Sequence, residues 1–147
     1  MELLLFLIGG RLYTWIELLW RGRTHWTMFV LGGVCFVIMG ILNECIFPWN
    51  LGLLCQSLIS AVIITAFEFV AGCMVNLWLG WNVWDYSDVP FNLLGQICLP
   101  FFLVWILLSI VGIIADDWIR YGIYLFVRKY MPMVNTEERK KPTYKLL

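Results

Sequence analysis

Long apolar runs separated by short polar stretches dominate this chain, and four of the runs are long enough to cross a bilayer. A transmembrane helix needs about 20 predominantly apolar residues. The predicted spans are residues 3–20, 26–43, 51–78 and 96–115. Tryptophans lie near their ends, where indole rings prefer the membrane interface; they are Trp20, Trp26, Trp49, Trp78, Trp81 and Trp84. The pattern predicts an all-α, polytopic membrane bundle of about four transmembrane helices.

The fourth apolar run is followed by the sequence "DDWIRYGIYLFVRKY", which keeps a helical pattern. Asp116 and Arg120 are four residues apart, the spacing of an ion pair on one helix face. This stretch either extends the fourth helix or lies along the interface, and the polar end "NTEERKKPTYKLL" is expected to be mobile. We therefore predict a transmembrane bundle over residues 1–117, then an interfacial segment and a basic cytoplasmic tail over residues 118–147.

Composition and charge agree with a membrane protein and indicate its orientation. Hydrophobic residues make up 62% of the 147, whereas soluble domains have about 45–50%. Residues 1–115 hold three basic and six acidic residues, a charge of −3, while residues 116–147 hold seven and four, a charge of +3. The positive-inside rule then predicts a multi-pass cell-membrane protein with both termini in the cytoplasm. Arg21 and Arg23 in the first loop oppose this orientation, and we expect nearby acids to offset them: Glu17, Glu68, Asp85 and Asp88.

Several kinds of chemistry find no support in the sequence. Five cysteines without a CxxC pair and a single histidine do not make a zinc site, so the cysteines are interpreted as packing residues and no metal or cofactor is expected. The chain has no HExxH, GxSxG or GxxxxGK[ST] motif, so we expect neither an enzyme nor ATP hydrolysis. A basic patch for nucleic acid is also absent.

Small and polar residues share faces of the first three helices, at about 100° per residue. Small residues let helix backbones approach closely, but each face also bears a glutamate. Inserting an acid deep into a bilayer costs about 2.5–3.5 kcal/mol, and such a group usually pairs with a partner or contacts water. We predict that Arg11, Glu17 and Glu68 converge in the half of the membrane near the first loop, while Glu44 lies at the opposite face. They form a buried structural ion network, a site that contacts a solute or ion, or a set of acids that simply snorkel to the interface. The faces are Gly10, Thr14, Glu17 and Arg21; Gly33, Gly40 and Glu44; and Ser57, Ala61, Thr65, Glu68, Gly72 and Asn76.

A polar segment, "WDYSDVPFN" at residues 84–92, interrupts the apolar pattern between the third and fourth spans. Asp85 and Asp88 fit a capped turn, and Val89-Pro90 disfavours a continuing helix. Asn92 is predicted to cap the next helix. The segment is either an ordered interfacial loop or a shallow re-entrant turn that lines a cavity. Aromatic residues are expected to hold it at the interface: Trp81, Trp84, Tyr86 and Phe91.

The same region resembles the signature of the ABC-transporter type IV (CmpB-like) family. In that signature, a glutamate and a glycine on a helix precede a Trp-Asp-Tyr-Ser turn, then Pro, Asn-x-x-Gly and Ile-Cys. "IELLWRGRTHWTMFVLGGVCF" is similar to the first half of short members described as ABC transporter permeases, so the likeness covers Glu17 to about Arg120. Gln96 departs from the arginine of many larger relatives. The matching positions are Glu68, Gly72, Trp84, Asp85, Tyr86, Ser87, Pro90, Asn92, Gly95, Ile97 and Cys98.

Two functions remain open at this point. The resemblance implies a permease-like or channel-like subunit, homo-oligomeric or paired with a separate ATPase subunit, that moves or binds a small solute or ion through a polar cavity. The alternative is a structural or regulatory membrane module that binds a partner protein. In both cases the lipid bilayer is a partner and nucleic acid is not. The candidate substrate- or ion-binding residues are Arg11, Glu17, Glu68, Asn76, Asp85, Asp88 and Asn92.

Overall fold

The computed structural model describes residues 1–42, 44, 51–134 and 138–146, and it confirms an all-α helix bundle. Three helical segments are long and apolar enough to cross a membrane, and α2 is a shorter apolar helix. The end predicted for the second span at Asn43, together with Cys45 and Trp49, lies outside the described residues. The elements are α1 (Glu2–Arg21), α2 (Trp26–Ile41), α3 (Leu53–Gly72), a π-helical segment (Cys73–Trp78), β1 (Asn92–Leu93), β2 (Ile97–Cys98) and α4 (Leu99–Tyr130).

The first two helices pack closely because glycines on each one face aromatic rings on the other. A Cβ atom at Gly10 would lie 2.6 Å from the carbonyl oxygen of Phe29, and one at Gly33 would lie 2.7 Å from that of Phe6. Only glycine allows backbones to approach this closely. The small-residue faces predicted for α1 and α2 are therefore partly explained by contact between these two helices.

The third helix packs along α4, and α2 contacts both of them. The face of α3 predicted from spacing is buried at Ser57, Ala61, Glu68 and Gly72. In contrast, α1 and α4 approach each other through long side chains rather than through close backbones. This looser contact leaves space between α1 and α4.

The fourth helix begins at Leu99, and the prediction that Asn92 caps it is wrong. Asn92 instead pairs with Cys98 in the two-stranded ladder of β1 and β2. Its side-chain amide donates to the carbonyl oxygens of Ser87 (3.1 Å) and Val89 (2.8 Å) within the connector, residues 79–98, which joins the π-helical segment to α4. Because this amide is used by the turn, and because the ladder separates Asn92 from the helix, the residue that precedes α4 is Cys98 in extended conformation.

At its other end α4 continues without a break through the stretch that follows Ala115, so this stretch extends the helix. The 32 residues of α4 make a helix of about 48 Å, longer than the hydrocarbon core of about 30 Å. Arg120 donates to Asp116 at 2.7 Å and to both carboxylate oxygens of Glu2 at 2.8 and 3.0 Å. This contact places the start of α1 beside Arg120, so the last ten or so residues of α4 extend about 15 Å beyond it.

The C-terminal tail contacts the bundle over its described residues, 138–146. The guanidinium of Arg139 forms two hydrogen bonds with the carboxylate of Glu44, at 2.5 and 2.7 Å. The backbone N–H of Leu53 donates to the carbonyl oxygen of Lys145 at 2.8 Å. The tail therefore supplies an acceptor to the first turn of α3, whose N–H groups have no partner within the helix.

Candidate binding cleft between the first and fourth helices

A cleft of about 540 Å³ lies between α1 and α4, at the end of the bundle where the connector residues 79–98 are found. Its volume falls within the range of about 300–1,000 Å³ typical of small-molecule sites. Leu19 and Trp20 at its edge are 84% and 76% exposed, so the cleft opens on the outer surface of the bundle. It is lined by Tyr13, Ile16, Glu17, Leu19, Trp20 and Arg21 of α1, by Pro100, Phe101, Val104, Trp105 and Leu108 of α4, and by Tyr86 of the connector.

The cleft is long, and its lining ends at Tyr13 on α1 and Leu108 on α4. Tyr13 and Arg21 are eight residues apart on α1, as are Pro100 and Leu108 on α4, so each wall is about 12 Å long at 1.5 Å per residue. This length is less than half of a hydrocarbon core of about 30 Å. At the inner end the rings of Tyr13 and Trp105 stack with centroids 5.6 Å apart and planes 15° apart. The cleft therefore extends into one leaflet only.

The polar end of the cleft is an ion pair on one face of α1. Arg21 donates to Glu17 through Nη2 and to the carbonyl oxygen of Val83 through Nη1, the latter at 3.2 Å. The second carboxylate oxygen of Glu17 accepts from the hydroxyl of Thr24 at 2.7 Å. Glu17 is 6% exposed, whereas the side chain of Arg21 is 25% exposed. Arg21 is thus the more accessible charge at this end.

Glu68 lies directly behind the wall of the cleft and is 1% exposed. One carboxylate oxygen accepts from the indole N–H of Trp105 at 2.8 Å, and the other accepts from the hydroxyl of Tyr86 at 3.1 Å. Burial raises the pKa of Tyr86 far above its ordinary value, and the nearby carboxylate of Glu68 raises it further, so the hydroxyl stays protonated at neutral pH and donates. Through these two bonds the third helix fixes two side chains that line the cleft.

A second buried group attaches the connector to the end of α3. Asn76, on the π-helical segment, donates to the side-chain oxygen of Gln96 at 2.8 Å and accepts from the backbone N–H of Val83 at 2.8 Å. The indole of Trp84 donates to the carbonyl oxygen of Gln96 at 3.0 Å. Trp84 is only 3% exposed, so its indole packs inside the protein rather than on its surface. Its N–H needs a buried partner, and the backbone of Gln96 supplies one.

The polar residues of the connector mainly stabilise its own turn. The carboxylate of Asp85 accepts from the backbone N–H and the hydroxyl of Ser87, at 2.9 and 2.6 Å, and these bonds lower the pKa of Asp85. Gly95 has a φ of 67°, and a Cβ atom there would lie 2.5 Å from the hydroxyl oxygen of Ser87. Its carbonyl oxygen accepts from the N–H of Tyr86 at 2.7 Å, which holds Tyr86 below the cleft opening.

The structure brings only two of the seven candidate residues to the cleft. Glu17 lines it and Glu68 lies behind its wall, whereas Asn76 is buried in the connector contacts. Asp85, Asp88 and Asn92 are exposed on the connector and do not line the cleft. Within the described part of the chain, no group of three or more His, Cys, Asp or Glu side chains could hold a metal ion.

The predicted convergence of Arg11 with Glu17 and Glu68 is wrong, because Arg11 is exposed on another face of α1. Six residues separate Arg11 from Glu17, a rotation of about 600°, or 240° after one full turn. Arg21, which sequence reasoning did not select, is four residues from Glu17 and shares its face. That i, i+4 spacing was the available signal.

Comparison with known families agrees with this architecture. The family model described as "Putative ABC-transporter type IV" matches residues 4–136. The chain belongs to this family. Comparisons with curated proteins and with solved structures returned no match. The family match covers the four helices, the connector and the cleft, and it confirms the resemblance first found in the connector. The ABC-transporter type IV assignment, together with the apolar helices, identifies an integral membrane protein.

Proposed function

We propose that this chain is a permease-like subunit of a membrane transport system and that its solute binds in the cleft between α1 and α4. The observation that carries this proposal is the cleft itself, which has apolar walls, a Glu17–Arg21 ion pair at one end and an opening on the outer surface of the bundle. Such an opening faces lipid, so the solute enters sideways from the bilayer.

The character of the walls narrows the kind of solute. Nearly all of the side chains that line the cleft are aliphatic or aromatic, and the charged groups are confined to one end. An aqueous pore for ions needs polar groups along its length. The cleft therefore suits a solute with an apolar part better than the small ion or polar solute expected from the sequence.

We further propose that energy is supplied by a separate ATPase subunit, since this chain has no phosphate-binding GxxxxGK[ST] motif. Four helices enclose little space, so the working unit contains two or more copies. We propose that both termini lie in the cytoplasm of a cell-membrane protein, which the seven basic residues after position 115 support. The projecting end of α4, with Arg128 and Lys129 in its last turn, then offers a cytoplasmic contact for the ATPase. We propose no catalytic role for the chain itself.

The test combines purification with a variant that fills the cleft. The chain is purified from native membranes with its partner, and ATP hydrolysis by the complex in nanodiscs is measured with and without lipid extract from the same cells. We expect an ATP-hydrolysing subunit and stimulation by the extract. Leu108→Trp should reduce the stimulation by about 5-fold or more, equivalent to about 1 kcal/mol of lost binding. Leu107→Trp is the matched control, because Leu107 is 65% exposed and does not line the cleft.

The alternative is a structural or regulatory module that binds a partner protein. The docked tail favours it, since Arg139 and Lys145 hold a defined surface at the tail end of the bundle. Purification of a complex without ATP hydrolysis, or stimulation that is the same in the Leu108 and Leu107 variants, would contradict the transport proposal and support this alternative.

A further inference from the structure

We propose that the ligand of the cleft is a single-chain amphiphile with an anionic headgroup, its chain between α1 and α4 and its carboxylate or phosphate at Arg21. The inference rests on the proposed function in one respect: this ligand is taken to be the solute that the protein transports. The binding of the ligand is argued from the geometry of the cleft alone and can be measured separately.

The walls indicate an alkyl chain. Ile16 and Leu19 of α1 face Val104 and Leu108 of α4 across the cleft, and the opening lies on the surface that meets lipid. The cleft is about 12 Å long, which is close to the thickness of one leaflet, about 15 Å or half of a hydrocarbon core of about 30 Å. A chain that enters from the bilayer therefore keeps its normal depth, with its headgroup at the interface.

The deep end limits the ligand to one chain of moderate length. The lining of the cleft ends at Tyr13 on α1 and Leu108 on α4, and a volume of about 540 Å³ suits a small ligand. A phospholipid with two chains would need a second groove, so a fatty acid or another single-chain anion fits better.

The hydrogen bonds at the polar end determine the charge of the headgroup. Both carboxylate oxygens of Glu17 already accept bonds, from Arg21 and Thr24, and both oxygens of Glu68 accept from Trp105 and Tyr86. Glu17 and Glu68 are also only 6% and 1% exposed, so neither acid presents an accessible oxygen to a cation. This leaves the donors of Arg21 as the group that can recognise a charged ligand.

Arg21 has donors to spare and is held in place. A guanidinium carries five N–H donors, and among the described residues its hydrogen bonds are those to Glu17 and to the carbonyl oxygen of Val83. These two contacts fix the side chain at the mouth of the cleft, where it is 25% exposed. The remaining N–H groups match the planar oxygens of a carboxylate or phosphate, which arginine binds through paired hydrogen bonds.

The test uses photoreactive probes in nanodiscs. Three probes share one medium-length alkyl chain with a diazirine near its end and differ in headgroup, which is a carboxylate, a phosphate or a trimethylammonium. After irradiation, labelled peptides are identified by mass spectrometry. We expect the carboxylate and phosphate probes to label residues 13–21 of α1 and 100–108 of α4, and the ammonium probe to label them weakly. The ratio of carboxylate to phosphate labelling distinguishes a fatty acid from a lysophospholipid-like source.

Variants of the two arginines provide a matched pair. Arg21→Gln should lower labelling by the anionic probes about tenfold, the loss expected for a hydrogen bond to a charged group, without lowering labelling by the ammonium probe. Arg23→Gln removes an exposed arginine that does not line the cleft and should change neither. Leu108→Trp should reduce labelling by all three probes. This variant leaves the ion pair intact, so it keeps the test valid if Arg21→Gln does not fold.

The inference is overturned if the ammonium probe labels the cleft as strongly as the anions, or if all probes label the outer surface evenly, which would show ordinary contact with bilayer lipid. Specific labelling without ATP hydrolysis would support this inference and remove the transport proposal. If ATP hydrolysis responds to Leu108→Trp but the cleft shows no preference for anionic probes, the transport proposal is supported and this inference is overturned.

Discussion

The two hydrogen bonds to Glu68 give a stability prediction that can be worked out from the structure. Tyr86→Phe removes the hydroxyl that donates to one carboxylate oxygen at 3.1 Å and leaves the aromatic ring in place. Trp105 still donates to the other oxygen at 2.8 Å, so the carboxylate loses one of two partners. Because Glu68 is 1% exposed, water cannot take the place of the lost donor.

Two measured ranges bound the expected effect. A hydrogen bond to a charged group contributes about 1.5–3 kcal/mol in soluble proteins, whereas hydrogen bonds between transmembrane helices average about 0.6 kcal/mol and reach about 1.7. The burial of Glu68 places this bond near the upper end of the membrane range. We therefore expect Tyr86→Phe to lower the free energy of unfolding by about 1–2 kcal/mol, which is a 5- to 30-fold change in the ratio of folded to unfolded protein.

The assay is reversible unfolding by sodium dodecyl sulfate in mixed micelles, followed by tryptophan fluorescence. Tyr130→Phe is the control, since Tyr130 is 61% exposed at the end of α4. A double-mutant cycle with Glu68→Gln measures the coupling, and the loss caused by Tyr86→Phe should shrink in that background because the hydrogen bond is then to a neutral amide rather than to a charged carboxylate. A loss for Tyr86→Phe within a few tenths of a kcal/mol of the Tyr130 control would refute the reasoning.

Two pairs of glycine variants test the packing in the same unfolding assay. Gly95→Ala should lower the free energy of unfolding more than Gly80→Ala. Both glycines have a φ of 67°, which costs an L-residue about 1–2 kcal/mol, but only Gly95 also lacks space for a Cβ atom. Equal losses would show that the crowded turn relaxes freely. Gly40→Ala should destabilise the protein by about 1–3 kcal/mol, because the new methyl group would lie 2.7 Å from both carboxylate oxygens of Asp116. Gly122→Ala, where nothing lies within 4 Å, should instead stabilise α4 by about 0.8–1 kcal/mol. If Gly40→Ala and Gly122→Ala both stabilise the protein, the Asp116 carboxylate moves away from the new methyl group without cost.

Much of the architecture follows from residue spacing alone. The apolar runs predicted four helices, and the small and polar residues spaced along the third run predicted the face that is buried, including Ser57, Ala61 and Glu68. The residues that carry the family resemblance include Asp85 and Gly95, which belong to one local turn. The geometry of this turn depends on adjacent residues, so the family was recognisable from the sequence. Spacing along one element determines such features because each depends on a fixed rotation per residue or on a few neighbouring backbone angles.

The site depended on how the helices are arranged relative to one another. Sequence reasoning placed Arg11 with the glutamates, but Arg21 is the arginine at the cleft, since only it shares the face of α1 that meets the connector. The same reasoning assigned solute contact to Asp85 and Asn92, whose side chains bond within the connector. The sequence does not indicate whether a polar side chain bonds to a ligand or to the backbone of its own turn.

The sequence by itself determined the helices, the buried face of α3 and the turn at Asp85, because these depend on periodicity and local hydrogen bonding. The tertiary structure decided that α1 packs closely on α2 but meets α4 through long side chains, and this difference creates the cleft. The width of a gap between two helices depends on every side chain placed between them and on the helices that hold them apart. Such a distance is a property of the assembled bundle, and no single segment specifies it.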